Sequence, residues 1–239
     1  MKYEKVRGIV IKTIDYLESD KLLTLLTFER GSVLVKAKGV RKKGAKLAYG
    51  TQHFFCGDFE CVESHGKLIL TGVDRVYDFS KIASDIDKYY TACHFAEIAS
   101  VVIMEEHPDE EMLRMFLNTL HILMKNNIGL NLLISIYEIR TAALAGFAPV
   151  MDECVVCGSE GKATRFSNEH GGMVCCTSGT EIDKHIISLI ETVSECDMRE
   201  MFLVFAPMES LEKLAIISRK YLESVLDRKF TIIDSINEI

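Results

Sequence analysis

Four of the eight cysteines in this 239-residue chain crowd into residues 154–176. They read Cys154-Val-Val-Cys157-Gly158 and then Gly171-Gly172-Met-Val-Cys175-Cys176. Two thiolates three positions apart on a tight turn can chelate one ion, and the glycine after them tolerates the backbone of the turn. A four-cysteine tetrahedral site normally closes with a second CxxC. Here the second half is an adjacent pair, and Ser178 stands where that motif would end. Neighbouring cysteines leave the chain in divergent directions, which makes joint ligation of one ion geometrically awkward. Cys154, Cys157, Cys175 and Cys176 are the candidate ligands of a structural zinc ion, with His170 as the substitute for the fourth. Two other readings stay open. One is a degenerate knuckle that folds without metal. The other is a thioredoxin-like dithiol, which lacks the βαβ context and helix N-terminus that such chemistry uses. Cys56, Cys61, Cys93 and Cys196 are scattered and read as small core residues.

A second stretch could act through charge rather than chemistry. Residues 36–46 run Lys36-Ala-Lys38-Gly39-Val-Arg41-Lys42-Lys43-Gly44-Ala-Lys46, six cations and no acid. Such a loop can wrap a phosphate backbone and release its counterions. Lys36, Lys38, Arg41, Lys42, Lys43 and Lys46 are therefore the candidate nucleic-acid contacts. The alternative is a solvated lysine-rich loop. The formal net charge of the chain is −7, but residues 1–80 carry fourteen Lys and Arg against ten Asp and Glu. The remainder is strongly acidic, so a polyanion is drawn to the first third and repelled by the rest. Tyr16, Tyr49, Phe54, Phe55 and Phe59 could stack bases, although for each one core packing is the more ordinary role.

No phosphate cradle of the GxxxxGK[ST] kind is present, nor HExxH, nor GxSxG. Glu105-Glu106 and Glu110-Glu111 read as solvated helix ends. No catalytic residue is assigned and the chain is not expected to be an enzyme. The first residues carry charges through the would-be apolar stretch, which is not a secretory signal, and no run of about 18 apolar residues occurs. A cytoplasmic protein with reduced thiols and no membrane partner is the expectation.

These features need a scaffold. Five short segments with β character, 6–14, 21–29, 32–39, 53–63 and 67–77, fill the first 80 residues. They are too few for a sandwich and suit a small closed barrel of the oligonucleotide/oligosaccharide-binding (OB) type. From residue 80 the apolar period becomes helical. Helices are expected over 84–104, from Glu111 to Asn126 or Asn127, over 130–147, from Thr180 to Glu195, and from Met208 to Leu226. The third is apolar nearly all round and belongs at the centre of a bundle. The expected fold is α+β and multidomain. A five-stranded OB-fold β-barrel for DNA binding (1–80) is followed by an all-α domain (81–149 and 181–239), with a zinc-finger-like cysteine cluster inserted at 150–180.

GIVIKTIDYLESDKLLTLLTFERGSVLVKAKGVRKKGAKL (8–47), LAGFAPVMDECVVCG (144–158), FSNEHGGMVC (166–175) and SRKYLESVLDRKFTIIDSI (218–236) together resemble RecO, the bacterial family of DNA repair and recombination mediators. The resemblance spans essentially the whole chain. It implies an OB-fold, a helical domain and, in many members, a four-cysteine zinc finger. It implies binding of single- and double-stranded DNA and annealing of complementary strands. RecR, single-strand-binding protein and RecF are the implied partners in loading RecA, at the bacterial nucleoid. The family's finger generally ends in CxxC, from which Cys175-Cys176-Thr-Ser178 departs. Lys213, Arg219, Lys220, Arg228 and Lys229 are possible contacts for the acidic tail of the single-strand-binding protein. An RNA-binding or transcription adaptor built on the same barrel is the alternative function.

Overall fold

Alternation of branched apolar and polar side chains builds the first five strands: β1 (Lys2–Tyr16), β2 (Asp20–Thr27), β3 (Gly31–Ala37), β4 (Phe55–Ser64) and β5 (Lys67–Asp78). The computed structural model describes residues 2–125 and 127–233. Asn126, one of the two positions where the second helix is expected to end, and residues 234–239 lie outside the described residues. The strands close into a barrel in the order β1-β2-β3-β5-β4, with β4 returning to pair with β1. All neighbours are antiparallel except β3 and β5, which meet in parallel at Val35↔Leu68 and Lys36↔Ile69. Closure of five strands in this order is the OB architecture expected from the sequence.

Val6, Val10, Leu23, Leu25, Val33, Val35, Phe59, Leu68 and Leu70 fill the barrel. Each contributes on the order of 1.5–3 kcal/mol by leaving water. A bulge interrupts β1 between Val10 and Lys12. It adds one residue, so that Lys12, Ile14 and Tyr16 turn outward while Val10 stays in the core. The turn from β2 into β3 passes through Gly31 at φ 64°. A Cβ there would lie 2.4 Å from the Met104 carbonyl oxygen and 2.3 Å from that of His107, so only glycine fits.

The chain divides into two compact units, the first running to Met124 and the second spanning Lys125–Ile233. Helices α1 (Ile86–Val102) and α2 (Glu110–Lys125) come after the barrel, and both are in the first unit up to Met124. Asp85 caps α1 by accepting from the amides of Asp87 (3.1 Å) and Lys88 (3.2 Å). The α1 helix is tied to the barrel through His53. Its Nδ1 meets the Tyr89 hydroxyl at 2.9 Å, and its Nε2–H donates to the Ile11 carbonyl at 2.6 Å.

In the second unit, α3 (Leu130–Leu144) is buried from Leu132 through Ala142 without a break, as its all-round apolar sequence requires. It packs beside α4 (Lys184–Glu195) and α5 (Met208–Val225). The fully buried Glu138 of α3 accepts from the Ser218 hydroxyl (2.6 Å) and from Arg219 Nε (2.7 Å) on α5. Arg219 is therefore partnered inside the bundle. Between α3 and α4 the chain makes a small sheet of β6 (Arg165–Ser167), β7 (Gly172–Val174) and β8 (Thr180–Glu181), ordered β7-β6-β8. No helix among the described residues is long and apolar enough to cross a membrane.

Candidate nucleic-acid interface and cysteine cluster

Beyond the bulge, the outer face of β1, β2 and β3 is open. Register places Lys12 opposite Thr24 and Thr24 opposite Leu34; the next row out is Ile14, Leu22 and Lys36. Leu34 is 55% exposed, Ile14 48% and Tyr16 39%. The Lys36 ammonium lies 4.7 Å over the Tyr16 ring. Apolar side chains and cations thus alternate on the strand face that OB barrels use for oligonucleotides. Of this face, Lys12, Ile14 and Leu22 are not singled out by residue type or spacing, whereas plain alternation along β3 turns Leu34 outward with Lys36. For Lys12 and Ile14 the one signal is the phase shift at the β1 bulge, which strict alternation does not reveal.

The basic loop leaves β3 at the edge of this face. It is no loose tether. Val40 is buried in the barrel core and Leu47 packs against the same cluster. The Gly39 amide donates to Asp20 Oδ1 at 2.8 Å, and the Arg41 amide donates to the Ser19 carbonyl at 2.9 Å. The six candidate cations then separate. Lys36 pairs with Asp20 (3.0 Å) and Arg41 with Asp15 (3.0 Å). The Gly39 amide and Lys36 hold the Asp20 carboxyl below its usual range. Lys38, Lys42, Lys43 and Lys46 are exposed and make no ion pair among the described residues. Phe54, Phe55 and Phe59 are buried, which leaves Tyr16 and Tyr49 as the exposed members of the candidate stacking set.

The four clustered cysteines converge. Their Sγ atoms all lie within 4.8 Å of one another. Cys154 and Cys176 are 3.8 Å apart, and Cys157 and Cys175 are 3.5 Å apart. Divergence of the adjacent pair does not keep Cys175 and Cys176 apart, because the chain bends at once on leaving β7. Val155 donates to the Met173 carbonyl at 2.9 Å, which seats the Cys154–Cys157 turn beside that bend. Gly158 closes the turn at φ 69°. The Cys175 amide donates to Cys154 Sγ at 3.3 Å and brings that thiol down to about 5. Hydrogen bonds that the Cys175 thiol donates toward Cys157 and Cys154 hold its proton and, with burial, push it up to about 12. His170 is outside the group, with Nδ1 on the Ser167 hydroxyl at 3.0 Å. The cluster could hold a metal ion. Cys56 and Cys61 behave as core residues, and burial raises both thiols to about 11.

Two family models match. That described as the recombination protein O N terminal matches residues 1–71, and that described as the recombination protein O C terminal matches residues 83–231. A DNA repair protein RecO of Acetivibrio thermocellus is 26% identical, covering 100% of this chain and 98% of its own length. That of Exiguobacterium sibiricum is 32% identical over 80% of this chain and 76% of its own length. That of Caldicellulosiruptor saccharolyticus is 24% identical over 98% of each chain. A barrel of OB order, a helical unit, a cysteine cluster and two family matches along the chain agree: it belongs to the recombination protein O family of DNA repair proteins.

Proposed function

We propose that this chain is a non-enzymatic recombination mediator that binds single- and double-stranded DNA through its first 80 residues and anneals complementary strands. With RecR, and with RecF as a further partner, it helps RecA replace single-strand-binding protein on DNA at the bacterial nucleoid. The observation that carries this is the set of unpaired lysines held beside an open apolar strand face. Two DNA strands repel through their phosphates. Lys38, Lys42, Lys43 and Lys46 lower that repulsion without chemistry, and base pairing supplies the driving force. The exposed ring of Tyr16 and the aliphatic chains of Ile14 and Leu34 offer bases a surface while the lysines take the backbone. Lys36 and Arg41 contribute after exchanging their carboxylate partners for phosphate. Of the C-terminal cations considered for an acidic tail, Lys213, Lys220, Arg228 and Lys229 remain candidates, while Arg219 is committed to Glu138.

The cysteine cluster fits zinc. A tetrahedral ion with Zn–S bonds of about 2.3 Å places its sulfurs about 3.8 Å apart. The Sγ pairs at 3.5 and 3.8 Å match that spacing. Cys154, Cys157, Cys175 and Cys176 would hold the ion, which would stitch the turn after α3 to the strand that leads into Cys175. Its role is structural.

An annealing assay with strands precoated by the cognate single-strand-binding protein, with no nucleotide added, tests the function. Faster annealing than for the coated strands alone is expected. No acceleration, or a strict ATP requirement, overturns it. Metal analysis should give about one zinc per chain, and a stably folded metal-free preparation removes the zinc assignment.

A further inference from the structure

Between α4 and α5 the chain turns large apolar side chains into solvent. Leu203 and Phe205 are each 81% exposed and Met208 is 84% exposed. Ile216, about two turns further along α5, is 54% exposed. The sequence gives them a reason to be buried and the fold does not bury them. Nor is the segment slack. Met201 and Ala206 are buried on its inner side. The Leu203 amide donates to the Glu200 carbonyl at 2.8 Å, and the Ser210 hydroxyl donates to Asp183 Oδ2, the cap of α4, at 2.8 Å. An apolar patch on a backbone fixed in this way is the kind of surface that docks another molecule, since little ordering is left to be done on binding.

The rim says which kind of molecule. Asp197, Glu200, Glu209 and Glu212 are exposed beside the apolar tip and outnumber Arg199 and Lys213. None of these six makes an ion pair among the described residues. Such a rim repels DNA phosphates and anionic lipid. Symmetric pairing of two copies would set carboxylates against carboxylates. We propose that Leu203, Phe205 and Met208 insert into a protein partner whose contact patch is an apolar pocket edged by lysine and arginine. An apolar centre with a charge-complementary rim is the ordinary anatomy of such contacts.

This deepens the function proposed above and rests on it in one respect: the probe is purified RecR, the protein partner named there. Binding of RecR is measured by titration calorimetry without DNA, for the unaltered chain and for two variants. The triple variant L203A/F205A/M208A removes the tip; E209K/E212K reverses the rim. Loss of the tip should weaken binding tenfold or more, since buried aromatic and aliphatic side chains carry most of the affinity. Rim reversal should weaken it about tenfold at low salt and less at high salt. Both variants should keep the circular dichroism and single-stranded DNA affinity of the unaltered chain. RecR bound equally by all three chains overturns the tip and leaves the proposed function standing. An unaltered chain that binds no RecR overturns the partner itself. Tip-dependent self-association, or tip-dependent binding to phosphatidylserine vesicles, overturns the proposal in favour of another occupant.

Discussion

The barrel carries two cationic regions of similar size, and they differ in what the cations already hold. At one edge Arg7 grips Asp58 with Nε at 2.7 Å and Nη2 at 3.1 Å, and Lys5 joins the same carboxylate at 3.5 Å. Arg30 bridges Glu4 (2.7 Å) and Glu106. At the other edge Lys38, Lys42, Lys43 and Lys46 have no carboxylate partner among the described residues. A guanidinium held by a carboxylate must leave it before it can take a phosphate. A solvated ammonium exchanges only its counterions, and their release favours binding. On the proposed reading, it is the lack of partners and not the number of basic residues that marks the polyanion surface.

The sharpest way to break this contrast is to reverse each edge. K42E/K43E/K46E should cut single-stranded DNA affinity by on the order of 100-fold at low salt and shrink the log–log salt slope by about 2. K5E/R7E should leave the affinity within about threefold. Equal losses in a fluorescence anisotropy titration would show that pairing does not matter. Next in size, Tyr16→Ala should weaken binding roughly tenfold through lost stacking, whereas Tyr16→Phe keeps it. An indifferent Tyr16→Ala would confine DNA to the loop.

Arg30→Ala addresses the paired edge from the other side. It strands Glu4 and Glu106, so urea unfolding should show about 1 kcal/mol of lost stability with DNA affinity unchanged. Weakened DNA binding at full stability would invert the assignment. The smallest effect concerns His53, which sits at neither edge. Burial lowers its pKa from the ordinary 6.5. A histidine depressed on folding leaves stability intact above the unfolded value and erodes it as pH falls below about 6.5, because the unfolded chain takes up the proton first. His53→Gln should flatten the unfolding midpoint between pH 7 and 5, and an unaltered slope would assign that titration elsewhere.

Much of this is legible from residue order, for identifiable reasons. The five strands and their closure arise from alternation and turn residues that are local in the chain. Helix α3 announces itself because no polar stripe interrupts it. The cysteines stand out by type and spacing, but convergence of Cys175 with Cys176 does not, since it depends on Val155 seating the opposite turn against Met173. The outward turn of Lys12 and Ile14 is hidden for a different reason. Alternation runs unbroken along β2 and β3 and places Leu22 and Leu34 on the outer rows, but one extra residue at the bulge reverses β1 beyond Val10. Pairing of Glu138 with Arg219 spans 81 positions, and no local pattern encodes it. From sequence, Arg219 therefore looks like any other surface cation.

Val40 divides the basic loop into two short spans by dropping into the barrel between Lys38 and Lys42. A single long span would let each lysine wander independently, and a bound strand would have to freeze them one by one. Pinned at mid-course, the loop forms two short brackets, and under the proposed DNA contact less of it would be left to order when a strand arrives. Lengthening the outer bracket, between Lys43 and Lys46, would slacken one set of contacts and leave the other untouched. On the proposed reading, the two sets of contacts would therefore be separable by changes to the loop alone.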